Sequence, residues 1–197
     1  MTLTLTKDDL SPALAVLRAQ ARNPRGVMAA AGRAVTNLFK SHLRRLQRTR
    51  PNKLGGKRTN FWNQLASSVN MPALSATGVT ISISDPRAAH KHTGGVITAK
   101  RAKLLTIPVA PEAHGRRASV LEAELGIKLF LLGRETAAPV LVGHIAGEQG
   151  LKVYYALKHS VTQPPDPPEG ILPPEDKIKT AAIGAAQSAL NRQLKTK

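Results

Sequence analysis

Residues 25–65 read RGVMAAAGRAVTNLFKSHLRRLQRTRPNKLGGKRTNFWNQL, and the division of this stretch decides the fold. From Arg25 to about Arg48 the apolar residues Met28, Ala31, Val35, Leu38, Phe39 and Leu46, with His42 among them, recur at steps of three and four. That spacing predicts one long amphipathic helix. Arg33, Lys40, Arg44, Arg45 and Arg48 fill the opposite face, and the arginines near its end suit the negative pole of a helix. Pro51 stops it. Asn52 to Arg58 then reads as a basic loop in which Gly55-Gly56 is free to adopt positive φ. Thr59 is the expected N-cap of a second helix, about Asn60 to Val69, with Phe61, Trp62, Leu65 and Val69 as its apolar face and Pro72 as its stop.

Outward from this pair, residues 9–20 predict a short helix with Leu10, Leu14 and Leu17 on one side, broken by Asn23-Pro24. Downstream the period changes. Val79, Ile81 and Ile83 alternate with Thr80, Ser82 and Ser84, as in a half-buried strand. Asp85-Pro86 reads as a turn. VITAK (96–100) and LLTIPV (104–109) read as strands around a basic turn, and IKLFLL (127–132), PVLVGHI (139–145) and LKVYYAL (151–157) as further strands. Gly133 and 147–150 supply turn signals, and such close spacing favours antiparallel hairpins. Residues 162–176, TQPPDPPEGILPPED, hold six prolines in fifteen residues, which predicts a stiff extended arm without ladder hydrogen bonds. Residues 175–195 are helical again, with Ile178, Ala182, Ala185, Ala189 and Leu194 along one side and Pro174 at the first turn. The fold class is therefore α+β: long N-terminal helices packed on an antiparallel sheet, a proline-rich arm and a C-terminal helix. The expected division is a core domain at 1–161, a linker at 162–176 and a final helix at 177–197. Removing 163–197 is expected to leave a folded core and to impair assembly.

The chain has 197 residues and a formal net charge of +17. The charge is unevenly spread: from Ser11 to Pro111 there are seventeen Lys and Arg against one acid, Asp85. Such a half points to a polyanion or an acidic partner. The absence of cysteine excludes a disulfide scaffold, thiolate metal sites and cysteine catalysis. No apolar run reaches the roughly 18 residues a spanning helix needs, and MTLTLTKDDL lacks the features of a signal peptide, so a cytoplasmic origin is expected. The glycine pair is not a phosphate loop of the Walker type: Gly56-Lys57 is followed by Arg58, and the segment leaves a helix instead of a strand. His90 and His92, read on a strand or extended loop, could turn both rings to one side, but no third ligand stands at metal spacing. No nucleophile elbow or paired carboxylates are legible, so no enzyme activity, catalytic residue, metal or cofactor is expected. Aromatic platforms for single-stranded nucleic acid are also missing, since Phe61 and Trp62 suit a helix core and Tyr154-Tyr155 lie in a strand.

Taken in order, FKSHLRRLQRTRPNKLGGKRTNFWNQLASSV (39–69), AHKHTGGVITAK (89–100), LLTIPVAPEAHGRRA (104–118) and LKHSVTQPPDP (157–167) resemble the phage virion-morphogenesis family, the Mu-type and P2-type tail-completion proteins akin to siphophage head–tail joining proteins. The resemblance implies a structural protein of the virion neck. Such a protein is made in the host cytoplasm and forms a homo-oligomeric ring, on the order of six or twelve subunits, around the DNA channel. Its implied partners are adjacent portal or adaptor and tail proteins, with non-specific contact to genomic DNA and no membrane. In that setting Arg44, Arg45, Arg48, Arg50, Lys53, Lys57, Arg58, Lys100, Arg101 and Lys103 are expected to face DNA or an acidic ring. Pro164, Pro165, Pro167, Pro168 and Ile178 are expected at a subunit interface. The alternative is a non-specific DNA-binding protein of regulatory or architectural type.

Overall fold

The computed structural model describes residues 10–52, 54–75, 78–133, 139–144, 150–166 and 170–195. The fold is α+β. In chain order the elements are α1 (Leu10–Arg22), α2 (Arg25–Thr49), α3 (Phe61–Ser67), β1 (Ala73–Leu74), β2 (Val79–Thr80), α4 (Pro86–Thr93), β3 (Gly95–Thr98), β4 (Leu105–Pro108), a 3-10 turn (Pro111–Ala113), α5 (Ala118–Leu125), β5 (Leu129–Leu132), β6 (Val140–Gly143), β7 (Lys152–Lys158), β8 (Ser160–Gln163) and α6 (Glu175–Lys195). Contacts group these into two compact units. One comprises 1–44, 64–88 and 167–197; the other comprises 45–63 and 89–166. The chain passes from one to the other within α2, α3 and α4, and again after Asp166.

The first unit is mainly helical. Its buried side chains include Val16 of α1, Ala30, Val35 and Leu43 of α2, Leu65 and Ala66 of α3, Ile171 ahead of α6 and Ala189 within it. The expected stripe on α2 is rotated slightly. Val35, His42 and Leu46 are buried as the spacing predicts, whereas Met28, Ala31, Leu38 and Phe39 are half-buried and the centre is completed by Thr36 and Leu43. Thr36 is tolerated there because its hydroxyl donates to Gly32 O at 2.8 Å, so no buried donor is left open. Gly32 itself is required by proximity: a Cβ at this position would lie 2.7 Å from Val79 Cγ1 and 2.9 Å from Pro72 Cβ. On α1, Leu14 and Leu17 of the expected apolar side are exposed, whereas Val16 is buried, because a short helix with apolar residues on several sides does not declare which one packs.

β1 and β2 form a two-stranded antiparallel ladder. The alternation from Val79 to Ser84 survives as alternating half-buried and exposed side chains, although only Val79–Thr80 is a strand. Ile83 makes an isolated bridge to Val69. Asp85 does not make a simple turn. Its carboxylate accepts the Arg87 N–H at 2.9 Å and the Arg87 side chain at 2.6 Å, opening α4 with Pro86 in the first turn, where a missing N–H costs nothing.

The second unit is built on a four-stranded antiparallel sheet of order β4-β7-β6-β5. Tyr154 and Tyr155 of β7, fully buried, pack with Ala110, Ala113 and Leu121, and Ile127, Leu129 and Leu141 close around them. Neither expected strand of the pair VITAK and LLTIPV pairs with the other. β3 pairs with β8, and β4 with β7. The run from Ala118 to Leu125 is helix α5, ended by Gly126 in the left-handed region at φ 62°, which glycine enters without steric cost. The proline segment begins inside a ladder, since Thr162 and Gln163 of β8 pair with Val96 and Gly95. The linker boundary expected at 162 therefore falls within a strand.

Candidate functional site

The basic loop after α2 is folded by its neutral residues. The Asn52 carboxamide accepts the Leu54 N–H at 2.9 Å and donates to Lys57 O at 2.8 Å, stapling the loop across its own width. Gly55 N–H donates to Asn52 O at 3.0 Å with φ at 76°. Gly56 passes so near the 3-10 turn that a Cβ would lie 2.3 Å from Pro111 O. Thr59 is not the cap expected of it. Instead Gln47 of α2 donates to Thr59 O at 2.7 Å and accepts the Trp62 N–H at 3.2 Å, fixing the exit of the loop and the first turn of α3.

With the backbone held in this way, the cations divide into two groups. Arg50 is spent inside the unit. It donates to Asp166 at 2.8 Å, and its guanidinium lies 5.0 Å from the centroid of Trp62. Trp62 in turn meets Phe61 edge-on at 5.0 Å. Lys91 of α4 reaches the same Asp166 at 3.2 Å, and the Asp166 N–H donates to Lys91 O at 3.0 Å. Asp166, with its side chain 8% exposed, is thus the tie that fixes the chain after β8. The sequence offered one acid among prolines and no cue to its partners. Lys57, Arg58, Lys100, Arg101 and Lys103 form the second group. They are exposed, and among the described residues no acid lies within ion-pair distance of any of them. Arg44, Arg45 and Arg48 are exposed on α2. Lys53 lies outside the described residues.

The described acids of this unit are each engaged elsewhere. Glu112 accepts from Lys152 at 2.8 Å, Glu124 pairs with Arg116 at 3.0 Å and Glu122 accepts the Leu129 N–H at 2.8 Å. The hydrogen bond from Lys152 holds the Glu112 carboxyl below the usual carboxylate range. Burial pushes the Tyr155 phenol up, and its hydroxyl donates to Arg116 O at 3.2 Å.

Of the expected interface residues, Pro164 and Pro165 are exposed and Ile178 is half-buried on α6; Pro167 and Pro168 lie outside the described residues. His90 and His92 are on helix α4, not on a strand. Two positions along a helix point to nearly opposite sides, so this spacing does not bring the rings together. Among the described residues no group of three histidine or acidic side chains is arranged to hold a metal ion, and no helix is long and apolar enough to cross a membrane. Comparison of the chain with protein-family models, curated proteins and solved structures finds no match.

Proposed function

We propose that this chain is a structural subunit of a phage neck: a head–tail connector or tail-completion protein that assembles as a homo-oligomeric ring around the DNA channel. It performs no chemistry. Its partners are its own copies, the portal or adaptor on one side and the tail on the other, and genomic DNA touched without regard to sequence. The observation that carries this reading is the imbalance within the sheet unit. Lys57, Arg58, Lys100, Arg101 and Lys103 are exposed and outside ion pairs, while Glu112, Glu124 and Asp166 are committed to internal pairs. Uncompensated lysine and arginine neutralise phosphates and position a backbone, but do not specify bases. A channel wall needs that property. The ordered resemblance of 39–69, 89–100, 104–118 and 157–167 to the virion-morphogenesis family supplies the setting.

The test is negative-stain microscopy of a lysate from a phage lacking this gene. Full heads and finished tails lying separate are the expected result. Normal joined, infectious particles would remove the chain from the neck. The same exposed cations also suit a free-standing DNA-binding protein, and that reading requires tight duplex binding by the isolated chain with a steep salt dependence.

A further inference from the structure

The loop 99–104 between β3 and β4 carries Lys100, Arg101 and Lys103, and both of its ends are pinned to one place. Thr98 pairs with Ser160 through the β3–β8 ladder, and Leu105 pairs with Lys158 through the β4–β7 ladder. The two ends of the loop are therefore held beside the junction between β7 and β8, where Lys158, His159 and Ser160 follow one another. Lys103 and Leu104 of the loop help to line an open recess of about 500 Å³ at this junction. Its floor is apolar, formed by Leu104, Pro139 and Leu157; its rim is Lys103, Lys158, His159 and Ser160. The rim residues are exposed, and among the described residues no acid pairs with the cations of the loop or the rim.

We infer that this junction is the contact through which the chain holds the phosphodiester backbone of duplex DNA. Lys103 and Lys158 neutralise phosphate, and the Ser160 hydroxyl donates a hydrogen bond to a phosphate oxygen. The apolar floor takes the deoxyribose between phosphates. A sugar–phosphate chain alternates these two chemistries over a short distance, as the recess does. Among the described residues that line it there is no Phe, Tyr or Trp, and His159 supplies a single small ring, so it lacks the run of stacking surfaces on which single-strand binders depend. This inference deepens the neck reading and rests on it for the source of the DNA.

The experiment is fluorescence anisotropy of a labelled duplex with the full chain, titrated across a range of salt. Lys103→Ala/Lys158→Ala is compared with Arg18→Ala/Arg22→Ala, which removes the same charge from exposed positions on α1. Circular dichroism confirms that both variants are folded. The rim variant is expected to bind about tenfold or more weakly and to lower the log–log salt slope by about 2, at about 0.9 per lost phosphate contact. The α1 variant should stay within about twofold of the parent. Equal losses in the two variants, or none in the rim variant, would overturn the site. Displacement of the duplex by polyglutamate of matched charge would overturn the choice of DNA over an acidic protein surface. If particles lacking the gene are joined normally, the neck assignment falls while a rim-dependent affinity stands. If rim dependence is absent, the site falls and microscopy still judges the neck.

Discussion

At the residue scale, the basic loop owes its shape to neutral groups, and two positions test this. Gly56→Ala would drive a methyl group to 2.3 Å from Pro111 O, and the obstacle is backbone, which cannot swing aside like a long side chain. We expect a loss of about 1–3 kcal/mol, read as a lower urea midpoint with an unchanged slope. Gly55→Ala meets open space but keeps φ at 76°, so only the left-handed penalty of about 1–2 kcal/mol applies. If Gly56→Ala costs less than Gly55→Ala, the loop does not pack on the 3-10 turn as described. The Glu112–Lys152 pair makes a second prediction. The Glu112 carboxyl is held below its ordinary value, first by the Lys152 hydrogen bond. Its contribution is therefore present above the unfolded carboxylate value, about pH 4.3, and is lost as pH falls through the lower folded value. Both side chains are more than a third exposed, which limits the effect to a few tenths of a kcal/mol, about 0.2–1. Lys152→Met should reduce the fall in urea midpoint between about pH 4.5 and about pH 3; an unchanged acid limb would mean that the pair contributes nothing in solution.

At the element scale, the proline segment separates less than its composition suggests. Thr162 and Gln163 still belong to a ladder, Asp166 is tied to Arg50 and Lys91, and Ile171 is 1% exposed. The buried His42 ring donates from Nε2 to Gly170 O at 2.9 Å. Helix α6 contributes Ala189 to the same compact unit as α1 and α2. Ending the chain after Asp166 should therefore cost the helical unit far more than assembly competence. Far-UV circular dichroism should fall by more than the deleted helix accounts for, while the sheet unit keeps a cooperative melt. A truncated chain with α1 and α2 intact and an unshifted midpoint would restore the picture of a detachable arm. The contrast shows what was legible. Helix α2 and helix α6 were readable because long 3.6-period patterns with clear stops leave few alternatives. β5, β6 and β7 were readable as apolar runs between turn signals. Pairing was not, because β3 and β4 find their partners in β8 and β7, far along the chain, and neither ladder leaves a local mark. Helix α4 was missed because its cue is the Asp85 side chain turning back onto Arg87. In the candidate site, exposed Lys57, Arg58, Lys100, Arg101 and Lys103 followed from charge clustering, whereas the withdrawal of Arg50 and the arrival of Lys158 depend on contacts across the fold.

At the scale of the whole molecule, charge and apolar surface oppose each other. β5 lies at the edge of its sheet, and Phe130, Leu131 and Leu132 are 44%, 63% and 49% exposed. An open edge with consecutive apolar side chains favours addition of another strand. Yet each copy carries a formal charge of +17, and bringing copies together concentrates it. The Debye length shortens from about 14 Å at about 0.05 M salt to about 4 Å at about 0.5 M, so repulsion between subunits fades while apolar burial does not. The ring reading thus predicts an unusual direction: the purified chain should be mostly monomeric at low salt and associate as salt rises, and duplex DNA at low salt should promote the same association by neutralising the cations. Analytical ultracentrifugation across this range measures it. Leu131→Lys should abolish the high-salt species and leave the monomer folded, because the side chain is exposed and the edge is blunted by charge. Association that is strongest at low salt would mean that ion pairs between copies drive assembly, and the apolar edge would no longer account for the ring.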